Sequence, residues 1–150
     1  MREVIHDGIH DEIHTGGVYT IFTTLDDTLA AIRIAAGLAR SMLVPLTLIH
    51  FRAVPRPLSV DKPDGMSPVE TRAFVERLRA EGIDAHVRVY LCRDQLRAIP
   101  MAFRRHSLIV LAGRRSWWPT RAERWRRRLE ASGHFVVFVD RAQQAEGSHA

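Results

Sequence analysis

Five short apolar runs, separated by four stretches of helical periodicity, predict an α/β domain built on one doubly wound, five-stranded parallel sheet with helices on both faces. Three observations carry the prediction. Strands and helices alternate as βαβαβαβαβ between Val18 and Asp140. Two of the runs, Leu108–Ala112 and Phe135–Val139, are apolar throughout, as strands covered on both faces are. Helix start signals stand where the crossovers need them, and right-handed crossovers between parallel strands then place helices on both sides of the sheet.

In chain order, Val18–Thr24 (VYTIFTT) is β-branched and aromatic, and reads as the first strand. Asp26 or Asp27 offers an N-cap to a helix whose apolar face carries Leu29, Ile32, Ala36, Leu38 and Ala39, ending near Ser41. Leu46–Phe51 is the second strand, begun after Pro45. Arg52–Met66 holds Pro55, Pro57, Pro63 and Gly65, and is a loop long enough to act as a flap. Ser67, Pro68 and Glu70 form a capping box with proline at the first helical position, and Gly82 stops that helix. Ile83–Leu91 alternates, with Ile83, Ala85, Val87 and Val89 against His86, Arg88 and Tyr90; this is expected as a half-exposed edge strand. Asp94 caps the helix Gln95–Arg105, which Pro100 should bend. Ser107–Ala112 is the fourth strand. Thr120 and Glu123 make a second capping box, Ala122, Trp125 and Leu129 form one apolar stripe, and Gly133 is placed to end the helix in a left-handed conformation. His134–Val139 is the fifth strand.

Three parts result: an extension over 1–17, the α/β domain over 18–140 and a polar tail over 141–150. A chain of 150 residues suits one domain that buries roughly 70% of its unfolded surface. No apolar run has membrane-spanning length, and the opening MREVIHDGIHDEIHTGG lacks the apolar core of a signal peptide, so a cytoplasmic location is expected. Cys92 is the single cysteine, which excludes an internal disulfide. The extension repeats His6, His10 and His14 at helical spacing, and such imidazole pairs can hold zinc or nickel. Gly8, Gly16 and Gly17 weaken that helix, so an arm docked through Ile5, Ile9 and Ile13 is preferred, with no metal or other cofactor expected.

The net charge of +5 points to an anionic partner, and all basic side chains but Lys62 are arginine. In a doubly wound sheet, ligands bind outside the carboxyl ends of the strands where the winding reverses. With the first and fourth strands flanking that crevice, its lining is Thr23, Thr24 and Asp26 facing Gly113, Arg114, Arg115 and Ser116.

Over Val18–Asp140 the sequence resembles the universal stress protein family. The resemblance lies in AIRIAAGLARS after the first strand, VPLTLIHF, RLRAEGIDAHVRV, SLIVLAG and the closing FVVFVD, in that order and spacing. It implies strand order 3-2-1-4-5, a cytoplasmic homodimer built through the last strand (Phe135, Val137, Val139), and a role in stress survival without catalysis. Many members of that family bind ATP through a first-strand aspartate and a G-x2-G-x9-G-[S/T] run after the fourth strand. Here Thr23 stands in place of the aspartate, and Ser116 in place of the second glycine; no glycine occurs between Gly113 and Gly133. Trp117, Trp118 and Pro119 add bulk and remove a donor where phosphates would meet main-chain N–H groups. The chain therefore resembles the branch that does not hold ATP by that motif, and the crevice is expected to be plugged by this bulk.

Two alternatives use the arginines. Arg114 and Arg115, with Arg121 at a helix start, would hold the phosphates of a nucleotide or another small anion in place of the glycine loop. Trp117 or Trp118 could stack on its base; against this, Trp118 and Trp125 are expected beneath the helix and Arg124, Arg127 and Arg128 on its wet face, partly paired with Glu123 and Glu130. Nucleic-acid binding by the basic surface comes behind it, since an arginine bias of composition alone would give the same charge.

Enzymatic readings fail on the residues. Asp26-Asp27 is similar to the acidic pair of a phospho-receiver domain, but Cys92-Arg93 and Asp140-Arg141 stand where its aspartate and lysine belong. There is no G-x-S-x-G elbow, and Cys92 has no base nearby in sequence. His50 and His106, at strand ends, are expected as hydrogen-bonded structural histidines.

Overall fold

The computed structural model describes residues 2–5, 16–53, 68–103 and 106–143. Their order is β1 (Arg2–Ile5), β2 (Val18–Ile21), α1 (Leu25–Met42), β3 (Leu46–Ala53), α2 (Pro68–Ala80), β4 (His86–Cys92), α3 (Gln95–Ala102), β5 (Leu108–Gly113), α4 (Arg121–Ala131) and β6 (Phe135–Asp140). His6, His10 and His14, residues 54–66 of the expected flap, the Ser67 half of the capping box and Arg105 lie outside the described residues, while Arg52 and Ala53, expected in that flap, extend β3.

The sheet runs β1-β4-β3-β2-β5-β6. From β4 to β6 it is the expected parallel sheet of order 3-2-1-4-5, in registers such as Val18↔Leu46, Val18↔Leu108 and Leu108↔Phe135. The sixth strand is β1, which pairs antiparallel with β4 (Arg2↔Leu91, Ile5↔Arg88). β4 is therefore not the half-exposed edge its alternation predicts. Once β1 takes its outer hydrogen bonds, Val87, Val89, Tyr90, Leu91 and Cys92 are all buried.

Period-two alternation sorts the strand side chains into two cores. On one face Val18, Leu48, Val87, Val89 and Val110 pack with Leu29, Ile32, Ala35 and Ala36 of α1 and Phe74 and Leu78 of α2. On the other, Ile21, Ile49, Phe51, Tyr90, Ile109 and Leu111 pack with Ala98 and Ile99 of α3 and Trp125 and Leu129 of α4. Trp125 is the aromatic centre of this second core, stacked on Phe51 with ring centroids 5.2 Å apart. Thr20, fully buried in β2, satisfies its hydroxyl by donating to the Val110 carbonyl.

Helix ends follow their chemistry, with one correction. The N-cap of α1 is Thr24, not Asp26 or Asp27: its hydroxyl accepts from Asp27 N–H at 3.2 Å, and both aspartates lie in the first turn. Asp94 caps α3, which ends at Ala102, three residues earlier than expected and two after Pro100, a residue with no N–H to donate. Thr120 and Glu123 form the expected reciprocal capping box on α4. Gly133 (φ 86°) and Gly82 (φ 77°) end α4 and α2 in left-handed backbone, where a side chain is strained.

Candidate functional site

The winding reverses at β2, which has β3 on one side and β5 on the other. The crevice above its carboxyl end is bounded by the turn Phe22–Thr24, the end of β3, and the stretch from Gly113 to the start of α4. Sheet order thus brings the predicted residues to one end of the domain, but it leaves them in unequal roles.

On the β2 side the turn is closed on itself. The Thr23 N–H donates to Thr28 Oγ1 at 3.1 Å, and the Thr28 hydroxyl donates to the Thr24 carbonyl. Thr24 is committed to capping α1. The N–H of Thr23 and the hydroxyl of Thr24 are therefore already in use. Asp26 and Asp27 meet a residue the sequence assigned to a polar tail: Arg141 sits 2.7 Å from Asp27 Oδ1 and 3.8 Å from Asp26 Oδ2. With Asp27 16% and Arg141 26% exposed, this is a half-buried pair that fastens the end of β6 to the start of α1.

On the β5 side, Gly113 is buried and its Cα faces α4. A Cβ placed there would lie 2.8 Å from Ala122 Cβ and 3.2 Å from Phe138 Cζ. The glycine is thus required by the close approach of helix to strand. Arg114, Arg115 and Ser116 are exposed; Arg115 lies 3.8 Å from Asp140, while Arg114 has no ion-pair partner among the described residues.

The expectation of an aromatic plug is overturned. Trp117 is 94% and Trp118 77% exposed, and neither ring packs on another among the described residues. The apolar stripe of α4 is already filled by Ala122, Trp125 and Leu129, so no space beneath the helix is left for Trp118. The arginine pairing on α4 also differs from expectation. Glu123 is committed to the cap, accepting from Thr120 N–H, and Arg124, Arg127 and Arg128 hold no ion pair among the described residues.

Over β3 the charge is positive. Arg121 donates to Gln95 Oε1 at 2.6 Å, and Gln95 Nε2 donates to the Phe51 carbonyl at 2.8 Å. His50 lies against the Phe22 ring, centroids 4.7 Å apart. Burial first, then the charges of Arg52 and Arg121, hold its pKa down to about 4, so the imidazole is neutral at pH 7. Its Nδ1 is buried without a hydrogen-bond partner among the described residues. His106 does match that role, with Nδ1 3.1 Å from the Gly133 carbonyl. His134 Nδ1 accepts from the Ser107 N–H, and burial lowers its pKa.

Cys92 is buried, its thiol directed to the Arg52 carbonyl, and burial raises its pKa, which disfavours the reactive thiolate. No cluster of three or more metal-ligating side chains occurs among the described residues. A cavity of about 420 Å³ opens at the opposite, amino end of the sheet between Ala39, Leu43, Pro45, Ile83 and His86, away from every predicted site residue. No described helix is long and apolar enough to cross a membrane.

Sequence reasoning missed Arg141, Gln95 and the buried His50 Nδ1 that has no hydrogen-bond partner among the described residues. An arginine directly after a strand's terminal aspartate was the available signal for the first; the other two depend on which elements become neighbours.

No protein-family model and no curated protein sequence matches this chain. Solved structures do. The universal stress protein from Archaeoglobus fulgidus matches with a TM-score of 0.62 and 17% identity, over 85% of this chain and 96% of that one. A structure of the universal stress protein from Archaeoglobus fulgidus in complex with dAMP matches at TM-score 0.55 and 13% identity, over 85% of this chain and all of the other. The chain has the universal stress protein fold, as its sequence resemblance implied.

Proposed function

We propose that this chain is a non-catalytic, cytoplasmic domain of the universal-stress type, acting in stress response or regulation as a homodimer, and that it does not hold ATP by a glycine-rich loop. One observation carries the last point. Gly113, the only position matching a motif glycine, is occupied with helix packing, since Ala122 and Phe138 stand where any side chain would go. The loop after it continues through Arg114, Arg115 and Ser116 to two tryptophans and a proline, without a second glycine to turn amides inward. Calorimetry with MgATP at millimolar concentration tests this: silence is expected, and saturable binding contradicts it.

Dimerisation is supported by β6, which ends the sheet. Phe135 (63% exposed) and Val137 (37% exposed) lie on its uncovered face, while Val139, on the same side, packs toward the first core. Light scattering should return about twice 17.1 kDa, and a clean monomer at micromolar concentration opposes it.

A second reading is favoured by one specific observation. The buried Nδ1 of neutral His50, without a hydrogen-bond partner among the described residues, lies near the charges of Arg52 and Arg121, a suitable setting for a small anion with a hydrogen-bonding base. The complex of the Archaeoglobus fulgidus protein with dAMP makes a nucleoside monophosphate the first ligand to try. Arg114, Arg115 and Ser116 would then serve as its outer contacts. Binding of AMP or dAMP that is lost in Arg121→Ala supports this reading.

A further inference from the structure

We infer that the loop Arg114–Thr120 and the outer face of α4 form a binding surface for single-stranded nucleic acid, with Trp117 and Trp118 as base-stacking platforms and arginines as the phosphate track. The observation behind it is the unexpected one. Two adjacent indoles stand 94% and 77% exposed, although burying either would be favourable. Four arginines with no ion pair among the described residues accompany them: Arg114 before the pair, then Arg124, Arg127 and Arg128 along α4. At a helical rise of ~1.5 Å per residue, the basic row from Arg121 to Arg128 continues for about 10 Å beyond the loop. Of the two acids on this stretch, Glu123 is locked into the helix cap and Glu130 lies at the far end.

The chemistry selects the partner. Flat aromatic faces beside guanidinium groups bind unpaired bases by stacking and their backbone by charge, with little sequence preference. A duplex offers no free base face to an indole. An anionic membrane would need an apolar helix face to insert, and the apolar face of α4 (Ala122, Trp125, Leu129) is spent in the core. Apart from Pro119, the loop adds no aliphatic residue to the two indoles. The exposure of both indoles leaves their faces open to a base beside this basic surface.

The test is fluorescence anisotropy of the intact chain with a labelled twelve-nucleotide oligothymidylate at about 50 mM salt, repeated with a matching duplex and with vesicles containing phosphatidylserine. Saturable binding to the single strand is expected, with a log–log salt slope of roughly −2 to −3 if three or four phosphates are neutralised. Trp117→Ala/Trp118→Ala should weaken it by roughly tenfold or more, since each stacked base contributes substantially. Because both rings are exposed, the thermal midpoint of that variant should not move. Arg124→Gln/Arg128→Gln should flatten the salt slope. Tryptophan-independent binding, equal affinity for the duplex, preference for vesicles, or no binding at low salt would each overturn the inference.

Discussion

Gly113→Ala tests whether the one motif-like glycine serves packing. The added Cβ would sit 2.8 Å from Ala122 Cβ and 3.2 Å from Phe138 Cζ, so either α4 lifts from β5 or the Phe138 ring gives way. Overpacking of this kind costs about 1–3 kcal/mol, and the smaller entropy of the unfolded alanine chain offsets about 0.5 kcal/mol of it. The expected net loss is about 0.5–2.5 kcal/mol, which for a domain of this size lowers the melting midpoint by roughly 1–10 °C. Urea denaturation followed by circular dichroism measures it. Ala122→Gly removes the atom the new methyl meets, so in that background Gly113→Ala should cost much less. Gly37→Ala is the control: its Cβ meets nothing within 4 Å in α1, and it should stabilise by about 0.5–1 kcal/mol. A Gly113→Ala chain as stable as the parent would refute the packing argument and reopen a role for this glycine in ligand binding.

Other expectations follow from the same geometry. Arg141→Ala should cost about 1 kcal/mol, less in high salt, because its pair with Asp27 is half-buried; Asp27→Asn should cost a similar amount, and no change in either would mean the latch is incidental. Stability should fall on acidification through His50. Its folded pKa of about 4 lies below the ordinary 6.5, so the unfolded chain binds the extra proton between those values, and stability present above pH 6.5 is lost towards pH 4. Between pH 7 and 5 the loss from this group is about 2 kcal/mol. Subtracting the pH profile of His50→Phe isolates it, and identical profiles would contradict the buried neutral imidazole. Phe135→Glu/Val137→Glu should convert a dimer to a monomer in light scattering, whereas a dimer that persists would move the interface away from β6.

The sheet and its helices were legible because their signals are local. Apolar runs such as Leu108–Gly113, the Thr120–Glu123 box and Gly133 each specify their element within a few residues. Where the reading failed, a choice depended on distant partners. Thr24, Asp26 and Asp27 are all competent N-caps, and the bond from Thr23 to Thr28 decides for Thr24. Arg2–Ile5 shows no strand pattern of its own and becomes a strand because β4 offers an open edge. Trp118 reads as core by composition, yet Trp125 already fills the space under α4. Topology brings the crevice's expected lining to one end of the domain, but the positive charge beside it comes from Arg121 and Arg52 acting across strands, and the latch on Asp27 from Arg141 beyond the last strand.

The most direct measurement is a titration of the isotopically labelled chain with MgATP, following the amide resonances of Gly113 through Thr120. If the main chain there is shaped by helix packing, those amides stay in place while nucleotide reaches millimolar concentration. Saturable shifts confined to that loop would mean that its N–H groups do close on phosphates, and the account would be wrong.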